Sequence, residues 1–524
     1  MKRFKAYIAG LAVIGLVVSA CGGGSAGSGQ GGGAGSGQVD RSASLSVTWI
    51  TPPQGVDPAL ECHIGCRAYW LPVFETLYDI DKDANPVPFA AAAMPAYSAD
   101  GLQLTIPLRP GRTFHDGTPI DAAAVKTDLE RAKTLPKSTA AADLTIVKSV
   151  DVVDQWTAKI TLSRPRPDFQ AVLSGPAGAL ISPAAIASGR NLAIDPGNAG
   201  SGPYLLTSLT PNNKAVYSAV PNYWKPELNQ VASLTINGIP DTQTAVNAVQ
   251  SGTVDAAYGA NLLNERKQTL TNAGLKVIQT KSYNLEAILL RSSRGDLSNQ
   301  LVREALASAI DRDTINKTIY SGTCDPTSQV YPDPLPAHVP NYDPYPYNPD
   351  KAKALLAQAG RPNGISFNIV TVSGGSESTQ NAQVVQQMLS KVGVQANLTP
   401  MNSVDGVVAF NRDQLDARST VVTFRADSLG SIDYGFSPDG PIHMSVGDGA
   451  DQLSAMTAQL AKAGSDQQNQ ILQQMGKFIS DKAYVIPICF QSQSWAAKPK
   501  VVGFDNMGYA RYGVLDPRML AVTK

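Results

Sequence analysis

Hydrophobic positions fall into three regimes along this chain. An apolar run extends from about Tyr7 to Val18 behind the basic start Met1-Lys2-Arg3-Phe4-Lys5. From Gly22 to Val39 apolar periodicity is lost in a stretch of Gly, Ser, Ala and Gln. Beyond it, strand-like and helix-like patterns alternate to the C-terminus. Residues 43–50, 102–108 and 231–239 alternate with period two and predict strands, and 150–162 reads as two short strands around the Asp154-Gln155 turn. Residues 201–223 carry further strand signals, broken by Pro211-Asn212-Asn213. Helical spacing predicts helices over 68–79, 241–252, 302–310 and 349–359. Asp241 and Asn348 are placed as N-caps, Pro349 in a first turn and Gly360 as a terminator. Mixed elements without a regular βαβ repeat predict α/β lobes assembled from non-contiguous segments.

The first apolar run is short for a membrane span, and it ends in Val18-Ser19-Ala20-Cys21. That order resembles the lipobox of bacterial lipoproteins. The resemblance implies a signal peptide over 1–20 and a diacylglyceryl group on Cys21 as the first mature residue, which anchors the chain to a membrane on its outer side. Residues 21–42 then serve as a flexible tether, with a mean reach of roughly 25 Å. Matches to a nucleophile elbow (23–27) and a dinucleotide fingerprint (27–32) fall inside this tether with no strand or helix beside them, so they are compositional.

Composition narrows the rest. The 524 residues carry 43 basic and 43 acidic side chains, which argues against nucleic acid or another polyanion as partner. About 485 residues remain after the tether, enough for two or three lobes, and no second long apolar run predicts a membrane helix. Besides Cys21 the cysteines are Cys62, Cys66, Cys324 and Cys489. Outside the cytoplasm they predict disulfides: Cys62–Cys66 ahead of a metal site, with Cys324–Cys489 as a possible second pair. No metal or other cofactor is expected. His115 lies in a turn motif, and Phe114, Tyr204, Tyr223 and Trp224 are expected to pack in the core.

A longer series of blocks is specific. Leu108-Arg109-Pro110-Gly111-Arg112-Thr113-Phe114-His115-Asp116-Gly117-Thr118-Pro119-Ile120 is followed by Gly200-Ser201-Gly202-Pro203-Tyr204 and Pro221-Asn222-Tyr223-Trp224. Then come Ala248 to Asp255, Val302 to Arg312, Tyr347 to Gly360, Val485 to Ile488 and Val502-Gly503-Phe504. In this order they resemble the extracellular solute-binding proteins, family 5, the peptide- and nickel-type receptors of ABC importers. The segment 89–95 departs from the family pattern.

The resemblance implies an α/β, two-lobed periplasmic-binding-protein-like fold with an extra subdomain in the first lobe and a hinge between lobes. The implied boundaries are a first lobe over 43–285 with the subdomain at about 86–199, a second lobe over 286–497, and a return to the first lobe over 498–524. It also implies a monomeric, extracytoplasmic receptor and no enzyme activity. Such a receptor captures oligopeptides or dipeptides between its lobes and hands them to a membrane permease. The open alternatives are a non-peptide solute (a metal chelate, glycoside or amine) and a non-transport envelope sensor or scaffold. Peptide-binding members carry an aromatic residue and, three positions on, an Asp that pairs with the peptide ammonium. Phe424 and Asp427 fall at those places, with Thr423 and Arg425 beside them, although Phe424 replaces the more usual Trp. The loop carrying Glu61 is implied to face the ligand from the first lobe, and Gln491 and Trp495 to lie near the second hinge crossing.

Overall fold

The computed structural model describes residues 37–524 except 61–63, 83–84, 260–265, 374–376, 424–427, 437–448, 461, 464 and 508–513. Cys21 with most of the tether, Glu61, Cys62, Phe424, Arg425 and Asp427 therefore lie outside the described residues. Val39 bridges Thr523 and the Asp40 amide donates to the Val522 carbonyl (2.7 Å), so these residues, tether-like by composition, already join the folded body.

The principal strands are β1 (Ser44–Trp49), β2 (Ala96–Tyr97), β3 (Gln103–Pro107), β4 (Val147–Asp154), β5 (Thr157–Leu162), β6 (Tyr204–Thr210), β7 (Lys214–Ala219) and β8 (Ser233–Gly238). They continue as β9 (Ala256–Tyr258), β10 (Lys276–Leu290), β11 (Asp325–Pro326), β12 (Ser366–Val372), β13 (Gln395–Met401), β14 (Ala417–Thr423) and β15 (Val485–Ala497). The helices that matter below are α1 (Ala122–Thr134), α2 (Thr242–Gln250), α3 (Gln300–Ser308), α4 (Pro349–Gln358), α5 (Glu377–Ser390) and α6 (Ser428–Phe436).

One sheet runs through the molecule in the order β13-β12-β14-β10-β15-β9-β1-β8-β7-β6, with β11 on the other edge of β15. A separate sheet, β2-β3-β5-β4, packs against α1 around Leu104, Ile106, Val125, Leu129, Ile160 and Leu162, and forms the subdomain core. Sequence chemistry sets the helix ends. The Asp121 carboxylate accepts from the Ala123 and Ala124 amides, Asp241 from Thr244, and Asn348 from Lys351. Gly360 takes φ +75° just beyond α4, a conformation that costs glycine little.

The predicted helix over 68–79 is not formed. A helix of four residues, Arg67–Trp70, gives way at Pro72, and Tyr78–Ile80 is a strand. The segment is buried on every side, so its apolar spacing carries no helical signal. The carbonyls of Pro72 and Val73 instead accept from the amides of Tyr204 (2.9 Å) and Gly202 (2.8 Å).

Three of the blocks that carry the family resemblance, 108–120, 200–204 and 221–224, meet here around the fully buried carboxylate of Glu75. Arg112 donates to both its oxygens (2.8 and 2.9 Å), Tyr223 and Trp224 to Oε1 (2.6 Å each), and Ser201 to Oε2 (3.2 Å). A Cβ on Gly200 or Gly202 would collide with the Val73 and Pro72 backbone, which explains the glycines. His115 belongs to the same structure: its amide donates to Gly200 and its Nε2 contacts the Gly202 carbonyl (2.9 Å). Phe114, Tyr204 and Tyr223 are buried. At the C-terminus, Arg518 donates to Asp79 (2.9 Å) and Asp516 (2.7 Å), a buried triad that fastens the last residues to the body.

Candidate functional site

Strands β10 and β15 are much longer than their neighbours and pair antiparallel along their length as a two-stranded ribbon. At one end β15 pairs with β9, and at the other β10 pairs with β14. The registers give direction. Tyr258, at the carboxyl end of β9, lies opposite Trp495, and the next amide, Gly259, donates to the Ser494 carbonyl (3.0 Å). Thr423, at the carboxyl end of β14, lies opposite Asn284. Strand β1 runs parallel to β9, and β12 parallel to β14. The carboxyl ends of parallel strands from both halves of the sheet therefore converge on the middle of the ribbon. In open α/β sheets, ligands bind beyond such ends.

The ribbon is irregular at that midpoint. Lys281 pairs with Ser492 and Leu285 with Phe490, so Ser282, Tyr283 and Asn284 face Gln491 alone. A bulge breaks the ladder and bends the strand. By alternation Gln491, Gln493 and Trp495 point to one face. Gln491 donates to Glu286 Oε2 (3.2 Å), which also accepts from Ser378 in the first turn of α5 (3.1 Å). Complete burial pushes the Glu286 carboxyl up to about 8, against hydrogen bonds from Ser378, Asn381 and Tyr320 that favour ionisation.

This shift has a stability consequence. Between the ordinary carboxyl value of 4.5 and about 8, the unfolded chain has released the proton and the folded chain keeps it, so stability falls as pH rises through that window. Glu286→Gln is expected to abolish this contribution. Wild-type stability minus that of the variant should decline from about pH 4.5 to 8 and level off above, in urea titrations at each pH.

Trp495 is fully buried. Its ring stacks on Trp49 (centroids 6.2 Å apart) and meets Tyr258 edge-on (5.3 Å). Burial pushes the Tyr258 hydroxyl up to about 12, with the Glu377 carboxylate adding in the same direction. Tyr258 sits on the first half of the sheet and Glu377 starts α5 on the second, so this interaction crosses between halves. A second crossing is ionic. Asp433 on α6 accepts from Arg164 (3.2 Å) and Arg166 (3.3 Å), just past β5 of the subdomain. Asp57, in the loop before Glu61, is buried and ion-paired to Arg131 of α1.

Of the sequence-predicted site residues that are described, Thr423 and Gln491 lie at the ribbon's bulge, and Trp495 lies nearer the ribbon's end, opposite Ile278. Thr423 ends β14, Gln491 joins the Glu286 network, and Trp495 forms the aromatic wall. Cys324 and Cys489 form a disulfide that ties the segment at β11 to β15 two residues before Gln491. Cys66 is also disulfide-bonded. Sequence reasoning passed over Glu286, Gln493 and Asp433, none of which belongs to a recognisable motif. Among the described residues no cluster of His, Cys, Asp or Glu could hold a metal, and no helix is long and apolar enough to cross a membrane.

A cavity of ≈ 820 Å³ opens beside the ribbon, lined by ribbon and second-half residues only, including Lys281, Arg312, Asp343 and Gln491. Several of its polar groups are already engaged. Asp311 caps the helix that follows it, Asp343 accepts from Ser328, and Arg312 donates to the Pro487 and Tyr345 carbonyls.

The sequence profile of the bacterial extracellular solute-binding proteins, family 5, matches residues 85–449, and the chain belongs to that family. Its curated relatives include the glutathione-binding protein GsiB of Salmonella paratyphi A, 32% identical over 63% of this chain and 64% of that protein. The GsiB of Pectobacterium atrosepticum is 31% identical over 70% and 71%. The match thus spans a little under two thirds of the first of these relatives. Among solved structures, NikA from Brucella suis in complex with Fe(III)-EDTA superposes with a TM-score of 0.78 at 21% identity, covering 92% of this chain and 100% of that one. DppA from Helicobacter pylori in complex with the peptide STSA gives 0.73 at 21% identity, covering 92% and 98%. The fold is the two-lobed α/β fold of periplasmic binding proteins.

Proposed function

We propose that this chain is the solute receptor of an ABC importer, capturing oligopeptides or dipeptides between its lobes and delivering them to a membrane permease. The observation that carries the reading is the convergence of strand carboxyl ends from both lobes on a bulged two-stranded ribbon, in a chain of this family. The ribbon is the hinge. Its bulge between Lys281 and Leu285 supports a first crossing near Leu285, and the second lies near Ala497. The first lobe then spans 43–285 with a subdomain at about 86–199, the second follows from 286, and residues 498–524 return to the first.

Asp427, in sequence between the end of β14 and the start of α6, is the anchor for the cargo ammonium, with Thr423, Phe424, Arg425, Glu61, Gln491 and Trp495 around the cargo. Cys21 carries the lipid anchor, and Cys62 is the partner of Cys66. The receptor works as a monomer. Glutathione, the ligand in the GsiB name, is itself a short γ-linked peptide with a free ammonium, which supports the peptide class over glycosides. A metal-chelate cargo is the second reading, favoured by the Fe(III)-EDTA complex of the Brucella suis relative. Calorimetric titration with short peptides, glutathione and a nickel–histidine chelate separates them. Saturable heat with peptides alone is expected, and heat with the chelate alone would overturn the peptide reading.

The Asp433 bridge to Arg164 and Arg166 acts on the closed form. Partly exposed pairs contribute up to about 1 kcal/mol, so Asp433→Asn should weaken peptide affinity about two- to fivefold. Its urea midpoint should stay near wild type. At the peptide concentration that half-saturates wild type, small-angle scattering should show less contraction of the variant than of wild type; equal contraction would argue against the bridge as a closing contact.

A further inference from the structure

The ribbon's midpoint holds a group of polar atoms that the fold leaves unused. Gln493 is 1% exposed, yet neither its Oε1 nor its Nε2 has a hydrogen-bond partner among the described residues. Thr280 is its Cα partner on β10, and the Thr280 Oγ1 is likewise buried and unpartnered. Directly opposed residues share a sheet face. Trp495, two residues on and on the same face, buries an unpartnered Nε1–H. Native folds pair nearly all their buried polar groups, and exceptions gathered at one spot need a cause. These exceptions sit where the carboxyl ends of β9 and β14 converge.

We propose that Gln493, Thr280 and Trp495 form a neutral hydrogen-bonding floor of the cargo site that reads an uncharged amide group of the bound solute. The proposal rests on the receptor reading above and adds the group recognised. Donors and acceptors are both present: the Gln493 amide N–H and the Trp495 indole N–H donate, the Gln493 oxygen accepts, and the Thr280 hydroxyl does either. An amide of the cargo, with one C=O and its N–H, complements both kinds. A carboxylate would leave the Gln493 oxygen facing an anion, and an ammonium would leave the two N–H groups empty. The Glu377 carboxylate near Tyr258 is acidic, which further disfavours an anionic group here, while Glu286 beyond Gln491 keeps its proton at neutral pH and adds no charge. Lys281 does not compensate Glu377, because its side chain is 84% exposed and lies toward Asp325.

The test uses Gln493→Leu, which keeps the volume and removes both polar ends, and Thr280→Val as a second variant. Without ligand, both variants should unfold in urea at or above the wild-type midpoint, since a buried polar group without a partner is replaced by an apolar one. A clear fall in midpoint for Gln493→Leu would mean that the amide has a structural partner, and would overturn the proposal. The binding probes are trialanine and two depsipeptides of it, each with one amide replaced by an ester. Wild type is expected to bind trialanine at least tenfold more tightly than one of the depsipeptides. Gln493→Leu should bind trialanine at least tenfold more weakly than wild type and lose that preference. Unchanged trialanine affinity in the variant, or a preference that survives, would overturn the floor. Should wild type ignore trialanine, the peptide reading fails by itself. The floor is then judged by whether Gln493→Leu loses the solute that native mass spectrometry finds on wild type; retention of that solute overturns it.

Discussion

Replacing Asp427 by alanine is expected to weaken the binding of short peptides by at least tenfold, about 1.4 kcal/mol or more. A carboxylate that meets an ammonium out of water makes a charge-assisted hydrogen bond of about 1.5–3 kcal/mol. The same account predicts a chemical counterpart. N-acetylation removes the ammonium from the cargo, so wild type should bind acetylated peptides at least tenfold more weakly than free ones. Asp427→Ala should treat the two alike. Calorimetry on the four combinations isolates the pair from any general effect of the substitution. Equal affinity of wild type and variant for the free peptide would remove Asp427 from the site and leave backbone pairing and the ribbon floor as the cargo contacts.

The largest expected effect on stability comes from Glu75→Ala. That carboxylate takes hydrogen bonds from Arg112, Ser201, Tyr223 and Trp224 with no exposure to water. Its removal leaves a largely buried guanidinium, a phenol and an indole N–H without their acceptor. Breaking a buried pair from one side costs about 3–5 kcal/mol. The exposed pair Lys126–Glu130 on α1 provides the control, because such i,i+4 pairs contribute about 0.3–0.5 kcal/mol. Urea unfolding should therefore show a large shift for Glu75→Ala and almost none for Glu130→Ala. Similar shifts for both would mean that the network around Glu75 is not what joins the subdomain, the Gly200–Tyr204 turn and the Tyr223-Trp224 turn.

Much of the architecture is legible in the sequence because local chemistry and fold agree. Asp241 and Asn348 read as caps and cap helices; the Asp154-Gln155 turn separates β4 from β5, and Pro211 to Asn213 separate β6 from β7. The family blocks are legible for the same reason. Those at 108–120, 200–204 and 221–224 are turns, glycines at close backbone approaches, and aromatic residues around Glu75. Legibility fails where burial is complete on all sides, as at 68–79, where Pro72 ends the helix and carbonyls pair across the fold.

It fails again at the site. Gln493 is a glutamine in a strand, and nothing in its neighbours marks it. Its meaning comes from Thr280, more than two hundred positions away, and from hydrogen bonds that the fold does not make. Asp433 likewise becomes a contact only when the subdomain's Arg164 and Arg166 reach it. Motifs report what holds the scaffold together; the surroundings of Gln493 and Asp433 are set by long-range pairings that one sequence does not display.

Closure of the two lobes on a peptide about the bulged ribbon is tested by native mass spectrometry of the soluble form beginning at Gly37, purified without denaturation, beside its Asp427→Ala variant. Added masses that match short peptides are expected on wild type and are expected to be lost from the variant. A single non-peptide adduct, retained equally by both proteins, would contradict it.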